Sequence, residues 1–330
     1  MLNAILKTND SILKRTETMD LLLELRRKLS DLRAHDRSDG IKAAVRHIEV
    51  AERYLERGRS VDDPDAFNDV IYRSNQAFEG ILKEAYSAIH TGKDATKLSP
   101  NEIEQYFIKS GKLSDRVSAL FKNYRQQWRN PSTHDHTLLF SEQEAILAIA
   151  SVSAFSLVLM NQIVEVVNFK VQRKETEQRR SELMQQWTTE VGKPLAEQVV
   201  TLLKSFNLDM YEKGQSFSSD AEVVGRFSGF VAGLNIGADI TPEARLSDRS
   251  RADLLLRKAD EAVIVEIKRR GRTNNDRLIE GAITQLTGYL NVAKVESGIV
   301  YLWSAEIRPT INEQSVELQG QKKIWVLGGD

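Results

Sequence analysis

The apolar periodicity of this chain changes once, near residue 190, and that change limits the possible folds more than any single motif does. Before it, Ile41, Val45, Ile48, Tyr54 and Leu55 recur at helical spacing and stop near Gly58. Phe67, Val70, Ile71, Phe78, Ile81, Leu82, Ala85 and Ile89 repeat the pattern before Gly92, which predicts two amphipathic helices. Ser99-Pro100-Asn101-Glu102 and Ser141-Glu142-Gln143-Glu144 read as capping boxes that open two more. After residue 190, glycines, β-branched residues and short apolar runs replace the long repeats, which predicts mixed α and β structure. Between the two textures, the run KVQRKETEQRRSE at 170–182 reads as a solvated helical connector. The expected organisation is a helical extension at 1–37, an all-α bundle at 38–168, the connector at 169–190 and an α/β domain at 191–330, a reasonable division for 330 residues.

Composition narrows the functional classes. Lys and Arg number 46 against 47 Asp and Glu, so no global positive field draws the chain to nucleic acid, and any such binding must be local. The absence of Cys excludes disulfides, thiolate metal sites and cysteine nucleophiles, and suits a reducing cytoplasm. Lys7, Asp10, Lys14, Arg15 and Glu17 interrupt the first thirty residues, which predicts no secretory leader. The stretch from Ala145 to Val164 has no charge and is long enough to span a bilayer. It also carries Ser151, Ser153, Ser156, Asn161 and Gln162, so it reads as a buried or dimer-facing helix rather than a membrane partner. A homo-oligomer built through the helical half is expected.

In the second half, Ala252-Asp253-Leu254-Leu255-Leu256 and Ala262 to Ile267 form a strand pair around the turn at 258–261. A helix from Asn275 to about Val292 follows, then strands at 299–303 and 323–327. Glu266 and Lys268 are two residues apart, so they share one face of their strand. Asp253 falls opposite Glu266 if the two strands form a hairpin. Two carboxylates at one point repel unless a cation lies between them. Mg²⁺ or Mn²⁺ with substrate phosphate meets that need, and a neighbouring ammonium can orient a water. The competing reading is a surface ion pair at a strand end.

These residues resemble the PD-(D/E)XK nuclease superfamily over roughly 220–305, with Ala252 standing where the name-giving Pro would be. The resemblance implies a restriction-endonuclease-like α/β domain with Asp253 and Glu266 as metal ligands, the Ile267 carbonyl as a third, and Lys268 in the catalytic role. It also implies an acidic ligand from a preceding helix, for which Glu222 and Glu197 are both available. Gln285 and Tyr289, four apart on one helical face, are similar to the Gln-to-Tyr signature of the RecB-like branch. Next to this site, Arg269, Arg270, Arg272 and Arg277 form a basic run suited to phosphates.

A second constellation lies in the helical half. The helix ending near Trp128 runs into Arg129-Asn130-Pro131-Ser132-Thr133-His134-Asp135-His136, and Pro131 predicts a helix end there. A guanidinium holding phosphate beside an imidazole that moves a proton would serve metal-free RNA cleavage. The arrangement of Arg129, Asn130 and His134 over about 40–168 resembles the HEPN ribonucleases, in which two protomers usually face each other to form one site. His136 is equally available as the imidazole. The leading expectation is a Mg²⁺-dependent nuclease, DNA favoured, acting in bacterial antiviral defence with other subunits as possible partners. One alternative is a metal-independent HEPN-type ribonuclease with a nucleic-acid-binding C-terminal domain. The other is a non-catalytic assembly protein.

Overall fold

The computed structural model describes residues 20–32, 38–90, 94–111, 113, 115–134, 138–187, 192–248, 250–271 and 275–328. The chain divides into two compact units, Met1–Ile163 and Val164–Asp330. Most of the expected extension at 1–37 lies outside the described residues, although Leu21–Asp31 forms a helix (α1) capped by the Asp20 carboxylate.

The first unit is helical throughout its described residues. Ser38–Ser60 (α2) and Asp65–Ile89 (α3) form a hairpin of amphipathic helices, because their apolar positions recur on one side of each. Pro100–Lys109 (α4) opens on the expected capping box, in which the Ser99 N–H donates to Glu102 (2.8 Å) and the Glu102 N–H donates to Ser99 Oγ (3.3 Å). The core is aromatic. Phe78 lies 4.9 Å from the Tyr124 ring, and Phe121 lies 4.4 Å from the Phe155 ring.

The helix break expected at Pro131 does not occur. Asp115–Tyr124 (α5) passes through a π-turn, Arg125–Arg129, into Asn130–His134 (α6). The Asn130 N–H donates to the Arg125 carbonyl, five residues back, and this wider turn makes room for a proline ring that would collide with a regular α-helical turn. A buried ion pair, Arg125 Nε to Glu104 Oε2 at 2.7 Å, pins the turn to α4.

Glu142–Gln178 (α7) begins in the first unit and ends in the second. Its capping box is formed by Ser141 and Glu144 as expected. Among the described residues it is the one helix long and apolar enough to cross a membrane by length and composition. Ala148, Val152, Phe155, Leu159 and Ile163 on it are buried in protein. The division of the chain falls inside this helix, after Ile163, ahead of the expected boundary at 169–190, whose residues 170–182 are helical and mostly exposed. Residues 170–178 continue α7, with Gln172 and Thr176 buried, Glu175 paired with Lys213 at 3.0 Å, and Arg179, just beyond, paired with Asp209. Arg180–Trp187 (α8) follows.

In the second unit, Leu195–Glu212 (α9) and Asp220–Leu234 (α10) precede a six-stranded sheet. Gly225, Gly229 and Gly233 lie four apart on one face of α10. A Cβ at Gly225 would stand 2.2 Å from the Glu165 carbonyl oxygen, and one at Gly229 would stand 2.4 Å from that of Phe169. Only glycine allows α10 to approach the end of α7 so closely. The strands are Asp239–Arg245 (β1), Arg251–Lys258 (β2), Glu261–Arg269 (β3), Ser297–Trp303 (β4), Asn312–Glu317 (β5) and Lys323–Gly328 (β6). Their order is β1-β2-β3-β4-β6-β5, with β3-β4 and β4-β6 parallel and the rest antiparallel.

Asn275–Ala293 (α11) is the crossover between β3 and β4. Val263, Val265, Ile267, Tyr301 and Trp303 pack with α9 and α10 on one face of the sheet. Ile264, Val300, Leu302 and Val326 pack with Ala282, Leu286 and Leu290 of α11 on the other. The strands read from sequence as β2, β3, β4 and β6 are all present. The two that were missed are the edges: β1, which contains Pro242, and β5, whose six residues are all exposed.

Candidate active site

The β2-β3 hairpin brings the acidic pair together by register. Leu254 pairs with Val265 and Leu255 with Ile264, so continuation by one step sets Asp253 opposite Glu266. There the regular pairing stops, and Asp253 Oδ2 instead accepts the Ile267 N–H at 2.7 Å. The alternation of β3 sends Val265 and Ile267 to the α9-α10 side, so Glu266 and Lys268 turn to the side of α11. Glu266 is 1% exposed, its Oε1 lies 2.5 Å from Lys268 Nζ, and its Oε2 is buried with no hydrogen-bond partner. On α11, Gln285 Nε2 donates to the Tyr289 hydroxyl at 2.8 Å.

The electrostatics follow from burial without full pairing. Burial and then the Glu266 charge push the Asp253 carboxyl up to about 7, against the opposing help of the Ile267 N–H and Lys268. Burial raises the Glu266 carboxyl as well, partly offset by its bond to Lys268. Burial pulls the Lys268 ammonium down, but its bond to Glu266 and the charges of Glu266, Asp253 and Asp220 more than reverse this. Burial also raises the Tyr289 hydroxyl, and both carboxylates add to that rise.

Two acidic residues absent from the sequence reading belong to this neighbourhood. Asp220, in the first turn of α10, accepts the Trp303 Nε1–H at 2.6 Å and acts on Lys268. Glu243 lies on β1 between Pro242 and Ala244, whose partners Leu254 and Ala252 flank Asp253. It holds a left-handed backbone (φ 49°), which is unusual for a residue with a Cβ, and its charge raises both Asp253 and Glu266. The pattern Ser219-Asp220-Ala221-Glu222 marks a helix start, and that start was the available signal for Asp220.

The two earlier candidates for a helix-borne acid are engaged or distant. Glu222 accepts the Ser218 N–H at 3.0 Å, the Ser218 hydroxyl at 2.8 Å and Arg226 Nε at 2.8 Å. Glu197 is exposed in the first turn of α9, whose Leu195 N–H donates to Glu261. That is the hairpin-turn end of β3, about 16 Å of strand from Glu266.

The basic run divides. The Arg269 guanidinium sits 5.4 Å from the centre of the Trp303 ring, Arg270 lines a cleft beside α11, and Arg277 is exposed in the first turn of α11. Arg272 lies outside the described residues. In the helical unit, Arg129 Nε donates to Glu79 Oε1 at 2.9 Å and Nη1 to the Asn130 side chain at 3.3 Å. Asn75 links the same region by accepting from the Tyr124 hydroxyl (3.0 Å) and donating to Ser132 (2.7 Å). His134 ends α6, but its side chain, like His136, is outside the described residues.

Among the described residues no group of three or more His, Asp or Glu side chains is gathered as a metal cage. The paired carboxylates nevertheless suit a hard divalent ion, because Glu266 Oε2 is buried and unpartnered and Asp253 retains its second oxygen. In comparison with known proteins, the chain matches no family model, no curated protein and no solved structure.

Proposed function

We propose that the α/β unit is a Mg²⁺- or Mn²⁺-dependent nuclease of the PD-(D/E)XK type that hydrolyses phosphodiester bonds, with DNA the favoured substrate. The observation that carries the reading is the trio Asp253, Glu266 and Lys268 at the point where β2 and β3 part. One buried carboxylate oxygen there has no partner, and an ammonium lies 2.5 Å from the other oxygen of the same group. A surface ion pair would have no reason to bury Glu266 to 1% exposure beside a second carboxylate.

Asp253 and Glu266 would hold the ion, with the Ile267 carbonyl and Asp220 as further oxygen donors at the same end of the sheet. Such an ion supplies Lewis acidity to the phosphate and a more acidic bound water. Lys268 remains protonated at Nζ in this arrangement, so it places the attacking water or a non-bridging phosphate oxygen by donating hydrogen bonds. Gln285 and Tyr289 offer an amide and a hydroxyl from the adjoining helix to orient the strand. The cut breaks the P–O bond of the leaving sugar oxygen; water supplies the hydroxyl gained by phosphorus, and the proton it gives up is matched by the one the leaving oxygen takes from solvent.

The helical unit, which resembles HEPN bundles, serves in this reading as the assembly part of a prokaryotic antiviral system, with Ile146 and Leu147 exposed on α7 for a second copy. The deciding experiment is a cleavage assay on DNA and RNA with Mg²⁺ and with chelator. Metal-dependent cutting supports the reading. Cutting that persists in chelator transfers the chemistry to Arg129 and His134.

A further inference from the structure

A cleft of about 140 Å³, open at its mouth, lies past the carboxylate pair on the α11 side of the sheet. The floor is apolar: Ile279 from α11, Leu302 from β4 and Val326 from β6. The rim carries a guanidinium, Arg270, and three carboxamides, Asn275, Asn312 and Gln314. With its amide oriented to satisfy both ends, Asn275 accepts from Arg270 Nε at 3.2 Å and donates to the Gly271 carbonyl at 3.1 Å, which fixes the guanidinium at the mouth. Asp276 adds one acceptor.

Arg270 follows Lys268 by two residues, and its N–H extends the β3 ladder by donating to the Trp303 carbonyl at 2.7 Å. The cleft therefore begins on the same face as Lys268, about 6.6 Å further along the strand, a step that one neighbouring nucleotide can span. We infer that this cleft receives the unpaired base of the nucleotide beside the phosphate being cut, so the site takes single-stranded or locally opened nucleic acid. This inference rests on the nuclease reading above for its orientation.

The lining separates a base from the other candidates. A phosphate would use donors only and would meet Asp276 and an apolar floor, which disfavour it. A base presents a flat face for Ile279, Leu302 and Val326, and an edge of alternating donors and acceptors for the carboxamides and Arg270. A base in a continuous stack cannot reach a recess of this kind, and an unstacked one can.

The test uses the full chain in EDTA and measures binding by fluorescence anisotropy. The probes are a labelled single-stranded DNA of roughly 12 nucleotides, a fully abasic strand of equal length and a perfect duplex, a length within the usual range of single-strand sites. The intact single strand should bind about tenfold more tightly than the abasic strand and more tightly than the duplex. Asn312→Ala with Gln314→Ala should remove most of that difference while leaving abasic binding unchanged. Both positions are exposed on the edge strand, and circular dichroism checks that the fold persists. Equal binding of intact and abasic strands overturns the inference, as does a variant that weakens both alike or neither. Cleavage with Mg²⁺ is scored separately. Base-dependent binding without cleavage removes the nuclease reading alone, and metal-dependent cleavage with base-independent binding removes the cleft alone.

Discussion

Asp253 Oδ2 takes the Ile267 N–H at 2.7 Å, the place where a main-chain carbonyl of β2 would otherwise continue the ladder. The carboxylate thus takes the N–H next beyond the last paired residues, Leu254 and Val265, beside the buried Glu266. Asp253→Ala and Glu266→Ala should each lower metal-dependent cleavage at least about 100-fold while the far-UV circular dichroism is retained. Full activity in both variants would move the reaction elsewhere.

The same pair makes the metal-free chain sensitive to pH. Burial raises both carboxyls in the folded state, so the folded chain binds more protons than the unfolded chain as pH climbs from about 4 towards 7. Stability contributed by the protonated pair is present at low pH and is lost as pH rises through the folded values. Without divalent ions, Asp253→Asn should flatten the fall in Tm between pH 5 and 8. Added Mg²⁺ should raise Tm more at pH 8 than at pH 5, because it displaces protons. An unchanged pH profile in Asp253→Asn would count against the coupling.

Lys268 differs in kind from the carboxylates, since it brings a donor rather than a ligand. Lys268→Ala should cut turnover at least about 100-fold yet leave Mg²⁺ binding, read by calorimetry, within a few-fold of the wild type. Parallel loss of binding and turnover would show that the ammonium organises the site instead.

Among the acids on preceding helices, Asp220 is expected to matter and Glu197 is not. Asp220→Asn should reduce cleavage at least about tenfold, whereas Glu197→Ala should stay within twofold. Glu222→Ala should act mainly on stability, at about 1–2 kcal/mol, by removing its bonds to Ser218 and Arg226. Denaturant titration beside the activity assay separates the two effects.

The close approach of α10 and α7 can be tested by adding one carbon. Gly225→Ala and Gly229→Ala place a methyl against a carbonyl oxygen, and each should cost about 1–3 kcal/mol. Gly288→Ala, inside α11 with open space around it, should be neutral or stabilise by up to about 1 kcal/mol. Equal effects at the three positions would show that α10 and α7 are not in this close contact.

How far the sequence alone reached depends on how local each interaction is. The β2-β3 hairpin was legible because its turn, apolar runs and charged pair lie within twenty residues, and register then carries Asp253 to Glu266. The helix bearing Gln285 and Tyr289 was legible from its own periodicity. Both capping boxes were legible because a cap involves four neighbouring residues.

Only the tertiary structure decided the rest. Strand β1 is interrupted in sequence by Pro242 and β5 buries none of its residues, and each is a strand because a neighbour offers it a free edge. Asp220 is bonded to Trp303, 83 residues away, and its charge acts on Lys268. Residues 170–178 are mostly exposed, but Gln172 and Thr176 among them are buried, because Gly229 and Gly233 on α10 leave room for close contact there. The chain's own pattern determined which segments form hairpins, helices and caps, since those depend on nearest neighbours. Which charges meet, and how deeply they are buried, was set by the packing of distant elements, whose contact energies no local window contains.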